Sequence, residues 1–169
     1  ETINSAKGQI IEQVFYAIVN YQERPYYFDG FHLCDQAVLI KLSNGKWLNW
    51  VWVEQGFSEN PEINITMLDI RNKLVDEYTT VKDVSDSSEW KALIGKEIHS
   101  IKFKIIDIDE TKKISDLKFT INNKDVSICA IDEPDPYKLP KIEGLPFSMN
   151  WTIIVFNEEI LKEHNRTIN

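Results

Sequence analysis

His32 and Cys34, two positions apart, are the pair whose residue types suit metal ligation, because imidazole and thiolate both bind zinc. The other histidines, His99 and His164, lie far off in the chain, and no second Cys or His stands at ligand spacing. The expected reading is an ordinary loop histidine and a buried thiol, with no metal and no cofactor. Carboxylates gather at Asp107-x-Asp109-Glu110 and at Asp132-Glu133-x-Asp135. Paired carboxylates catalyse only when they share a cleft and their pKa values are driven apart. Here both groups fall at expected strand ends, where acidic residues are commonly solvated. No Gly-x-Ser-x-Gly, P-loop, Gly-x-Gly-x-x-Gly or His-Glu-x-x-His occurs. The chain is expected to bind rather than to catalyse.

Two features suit binding. The segment 47–53 holds three of the five tryptophans. In a strand, Leu48, Trp50 and Trp52 share one face, while Trp47, Asn49, Val51 and Val53 share the other. Both faces are apolar enough for a covered strand; alternatively Trp50 or Trp52 anchors a partner. The second feature is charge. No Lys or Arg stands between Lys46 and Arg71, where Glu54, Glu59, Glu62 and Asp69 accumulate. After the second hairpin comes Asp132-Glu133-Pro134-Asp135-Pro136-Tyr137, in a stretch with four of the six prolines. Proline stiffens such a loop and lowers the entropy lost on docking. The expected partner-binding residues are Glu54, Glu59, Glu62, Asp132, Glu133, Asp135 and Tyr137, with Trp50 and Trp52 as anchors.

The scaffold under these loops is a repeat. Gly8-x-x-Ile11-x-x-Val14-x-Tyr16-x-Ile18 recurs 87 positions later as Gly95-x-x-Ile98-x-x-Ile101-x-Phe103-x-Ile105. Each copy leads to an apolar hairpin turning at Asn44-Gly45 or Asn122-Asn123, residues that tolerate positive φ. The step of three before the steps of two predicts a bulge, or a helix-to-strand transition, at the same point in both copies. Strands are expected over 10–20, 36–42, 46–54, 63–68, 79–84, 97–107, 115–121, 125–131 and 150–156. A short turn is expected before Gly8, and helices over 85–94, 69–78 and after Asn157, which caps the last one. The expected fold is mainly β (α+β): antiparallel sheets from two related hairpin-containing halves, with two or three short helices. It forms a single domain, 1–169, of halves spanning about 1–84 and 85–169.

Composition bounds the partners. The 27 acidic residues against 19 basic ones give a net charge of −8, which disfavours nucleic acid and anionic membrane surfaces and permits a basic partner. No window approaches the roughly 20 apolar residues of a membrane helix. Two unpaired thiols and no secretory leader lead us to expect a cytoplasmic protein. The triplets at Asn64, Asn150 and Asn165 that match a glycosylation acceptor read as chance matches.

With the Trp-Lys-Ala-Leu-Ile-Gly-Lys-Glu-Ile run at 90–98, the duplicated hairpins and the acidic loops, most of the chain resembles the small acidic immunity proteins of bacterial polymorphic-toxin and contact-dependent inhibition systems. The resemblance implies a cytoplasmic protein that neutralises a cognate toxin by occluding or distorting its active site. A nuclease toxin would present a basic surface. The rival expectation is a small-ligand or carbohydrate-binding module that uses the tryptophan row with Tyr26 and Tyr27. An enzyme of another kind would require a cleft where His32 or His99 meets two carboxylates.

Overall fold

The computed structural model describes residues 3–19, 25–34, 36–53, 62–68, 79–108, 111–132 and 150–163. A 3-10 turn at Ile3–Ala6 precedes β1 (Ile11–Val19), β2 (Tyr26–Phe28), β3 (Phe31–Cys34), β4 (Ala37–Leu42), β5 (Trp47–Val53), β6 (Glu62–Leu68) and β7 (Thr79–Asp83). Helix α1 (Ser88–Lys91) follows, then β8 (Ile98–Ile108), β9 (Thr111–Ile121), β10 (Lys124–Asp132), β11 (Asn150–Val155) and helix α2 (Glu158–Glu163). The fold is mainly β, in two antiparallel sheets of order β6-β5-β4-β1-β7 and β2-β3-β11-β10-β9-β8. The helix expected over 69–78 lies outside the described residues.

Alternation along the strands builds the core. Val14, Tyr16 and Ile18 of β1 and Leu48 and Trp50 of β5 meet Leu117, Phe119, Val126, Ile128 and Ile154 of the other sheet in one buried cluster. Burying each large apolar side chain stabilises the fold by roughly 1.5–3 kcal/mol relative to leaving it exposed. The opposite face of the second sheet carries Phe31, Leu33, Ile153 and Val155, and Leu161 of α2 lies over it. Val51 and Leu39 join Ala17 and Ala37 in a smaller cluster on the far side of the first sheet. The β5 strand is thus covered on both faces, as its composition suggests.

Both copies of the sequence pattern lead into the same order of strand pairing. The orders β1-β4-β5-β6 and β8-β9-β10-β11 are the same antiparallel meander. The β1–β4 register shifts between Ile11 and Gln13, and the β8–β9 register shifts between Ile98 and Ser100, 87 residues on. Four backbone bonds then join the copies reciprocally. Gly8 N–H donates to Ile98 O (2.8 Å) and Gly95 N–H to Ile11 O (2.8 Å). Ile11 N–H donates to Lys96 O (3.0 Å) and Ile98 N–H to Gln9 O (2.9 Å). Gly8 and Gly95 have φ of +81° and +77°, a left-handed conformation open to glycine at little cost.

Two elements depart from expectation. The first is that β9 begins at Thr111, four residues before the expected start, because Lys112 and Lys113 pair with Asp107 and Ile106. A polar run reads as loop in sequence but extends the hairpin here. Asp107, next to last in β8, stands at the strand's end as expected. The second is the short hairpin β2–β3, which was not expected at all. It turns at Asp29-Gly30, with Gly30 at φ +80°, and adds to the edge of the second sheet beside β11. Gly30 also lacks room for a side chain, since a Cβ there would sit 3.1 Å from Asn157 Cβ and 3.2 Å from Ile160 Cδ1.

Candidate functional site

The inserted hairpin places His32. Along β3, Phe31 and Leu33 face α2, so His32 and Cys34 face the shared core. His32 is fully buried and stands opposite Tyr27 on β2 and Ile154 on β11. Its ring meets the edges of Tyr27 at 4.6 Å and Phe156 at 4.8 Å, between centroids. From β1 comes Tyr16, from α1 come Glu89 and Trp90, and all three are hydrogen-bonded into one chain.

The direction of that chain follows from one donor. Trp90 Nε1, which can only donate, gives its proton to Tyr16 Oη at 2.6 Å. Tyr16 O–H then donates to His32 Nδ1 at 2.9 Å. The imidazole is left with its proton on Nε2, which donates to Glu89 Oε2 at 3.0 Å. Ser88 Oγ donates to the same carboxylate oxygen. Every member is satisfied, with a neutral imidazole and an ionised Glu89. Burial holds the imidazole below its ordinary value, against a smaller upward pull from Glu89. Burial also pushes Tyr16 well above 10.0, aided by Cys34 and opposed by the Trp90 bond. Desolvation raises Glu89, but bonds from Ser88, its own backbone and His32 outweigh it, and the net direction is down.

The chain reaches solvent at Glu89, whose side chain is 22% exposed. There it forms part of the wall of a cleft of about 440 Å³, together with Tyr27, Phe28, Asp29, Asp83, Val84, Asp86, Ser87 and Ser88. Four carboxylates and no Lys, Arg or His line this cleft among the described residues. Ser85, between the lining residues Val84 and Asp86, is tied to β1, where Val14 N–H donates to its Oγ at 2.9 Å. Both nitrogens of His32 are committed and the Tyr16 hydroxyl is sealed in the core, so neither is presented to an occupant of the cleft. The arrangement attracts cations.

Only some of the expected binding residues are among those described. Glu54, Glu59, Glu133, Asp135 and Tyr137 lie outside the described residues. Glu62 begins β6, and Asp132 ends β10 opposite Asn150. Trp52 pairs with Ile63 across β5 and β6. Trp50 is 0% exposed and packs the main core, so the anchor role expected for it is replaced by core packing. The cleft residues escaped notice as a group, although Asp29-Gly30 between aromatic residues is a hairpin signal. Cys34 and Cys129 are buried and not joined in a disulfide. Among the described residues no three His, Cys, Asp or Glu side chains gather as a metal requires, and no helix is long and apolar enough to cross a membrane. Compared with known proteins, the chain matches no family model, no curated protein and no solved structure.

Proposed function

We propose that this chain is a non-catalytic binding protein that neutralises a basic protein partner, in the manner of a cytoplasmic immunity protein that covers the active site of a cognate bacterial toxin. The observation that carries this reading is the cleft whose wall holds Asp29, Asp83, Asp86 and Glu89 and, among the described residues, no cationic side chain. A net charge of −8 extends the same preference over the whole molecule, and complementary potentials speed encounter. The acidic segments with Glu54, Glu59 and Glu62, and with Asp132, Glu133, Asp135 and Tyr137, belong to the same reading as outer contacts.

The test begins at the gene. A neighbouring reading frame should encode a large protein with a basic C-terminal domain, and the two purified chains should form a stable complex that abolishes that domain's toxicity. Changing Glu54, Glu59 and Glu62 together to Lys should slow association by roughly tenfold or more at low salt. Absence of any complex, or unchanged kinetics in the triple variant, counts against the reading. One observation favours a second reading: Tyr27 is 48% exposed at a cleft of small-ligand size. A carbohydrate binder would perturb Tyr27 with neutral glycans, which the first reading does not.

A further inference from the structure

Among the described residues the two sheets end in four edge strands, β6, β7, β2 and β8, and β8 is the longest at 11 residues. Its equivalent in the first half shows what such an edge accepts. Along β1, Phe15 to Val19 pair with Asp83 to Thr79 of β7, antiparallel, on the side away from β4. The positions 87 residues on, Lys102 to Ile106 of β8, have only β9 beside them among the described residues. An open edge presents backbone N–H and C=O groups to which another strand can pair. Ile101 and Phe103 stand opposite Phe119 and Leu117 of the main core, yet Phe103 is 38% exposed at the open edge. Lys102 and Lys104 take the other face of the strand, Lys102 exposed and Lys104 half-buried. Lys102 faces Lys118, whose ammonium is engaged by Asp125 and Glu158, so β9 does not answer the charge of Lys102.

We propose that the β8 edge docks an extended segment of another protein, antiparallel to β8 along Ile101 to Ile105, in which carboxylates alternate with apolar residues. The alternation follows from the two faces of the strand. Carboxylates fall opposite Lys102 and Lys104, and apolar side chains cover Phe103. Charge also decides against a second copy of this chain. Antiparallel self-pairing centred on this stretch sets Lys102 or Lys104 against itself or against the other, and like charges directly opposite are destabilising. A basic strand is turned away by the same pair, the usual effect of lysines on an edge. The inference goes beyond the proposed function and does not rest on it: it concerns another surface and a partner group of the opposite charge.

The probe is the peptide acetyl-Thr-Val-Glu-Val-Glu-Val-Thr-amide, titrated into the isotopically labelled full chain and followed by NMR, with lysines in place of the glutamates as its control. Saturable shifts and slowed amide exchange along Ile101 to Ile105 are expected with the glutamate peptide and none with the lysine peptide. Reversing Lys102→Glu and Lys104→Glu together should exchange that preference and weaken the glutamate peptide roughly fivefold or more. Phe103→Ala, on the other face of the strand, should weaken binding without changing which peptide is preferred. No binding of the glutamate peptide, equal binding of both peptides, or a preference that survives the double reversal overturns the proposal. So does a free chain whose outward β8 amides are already protected from exchange, or one that self-associates through β8, because the edge is then filled from within or by a second copy. The partner reading is tested separately: a basic domain that binds through the carboxylates leaves this edge unaddressed, and failure of the peptides leaves that domain's binding standing.

Discussion

Tyr16 and Phe103 occupy the same point of the repeated segment, 87 residues apart, yet one is sealed in the core and the other is 38% exposed. Their backbones are alike: both stand in strands that follow a bulge and a left-handed glycine. Their surroundings are not. The β1 strand is flanked by β4 and β7, whereas β8 is the edge of its sheet. Tyr16 also meets His32, from a hairpin without a counterpart among the described residues of the second half, and Trp90, whose counterpart in the first half is Ile3. The repeat therefore supplies the frame, and the inserted hairpin supplies the chemistry. The polar chain links Tyr16 and His32 of the first half to Glu89 and Trp90 of the second.

The largest contrast should come from Trp90 and Ile3. Trp90 is fully buried, so Trp90→Ala should cost about 3–5 kcal/mol of unfolding free energy in urea, while Ile3→Ala at the half-buried equivalent should cost less than about 2. Comparable losses would mean that the two ends are packed alike. Next in size is Tyr16→Phe, which strands the indole N–H of Trp90 and Nδ1 of His32. Its expected cost is about 1–3 kcal/mol, against about 0.5 or less for Phe103→Tyr at the exposed counterpart.

Acid should sharpen the same contrast. The folded chain holds His32 below its ordinary value of 6.5, so the unfolded chain takes up that proton at higher pH. The stabilisation is complete above about 6.5 and is lost as pH falls below it. Glu89, with its folded value lowered, acts in the same direction further down the scale. Urea midpoints should therefore fall between pH 7.5 and 5.5, and His32→Gln should flatten that part of the slope. A slope untouched by His32→Gln would place the sensitivity elsewhere. The smallest effect concerns the two hairpin turns. Gly45→Ala forces a side chain to φ +81° and should cost roughly 1–2 kcal/mol, while Asn123→Gly at φ +62° should change stability by about 0.5 or less.

The frame was legible because its signals are local. Gly8 and Gly95, Ile11 and Ile98, and the turns at Asn44-Gly45 and Asn122-Asn123 sit at fixed spacings that strand and turn geometry demand. All nine expected strands are present within a few residues. The missing pair, β2 and β3, is only three and four residues long, too short for period-two alternation to stand out. The cleft was hidden for a different reason. Tyr16, His32 and Glu89 are 16 and 57 residues apart, and they meet because β3 crosses to the second sheet beside β11 instead of joining β4. No spacing rule carries that crossing. Trp50 shows the reverse case: strand alternation indicated its face, but only packing shows that this face is enclosed in the main core rather than open to a partner.

The proposed recognition of a cationic partner through these carboxylates is tested most directly by association kinetics with the basic domain that the proposal expects beside the gene. The association rate should fall by roughly tenfold or more between about 20 and 200 mM salt, with dissociation far less affected. A rate indifferent to salt, or one that rises with it, would contradict recognition through these carboxylates.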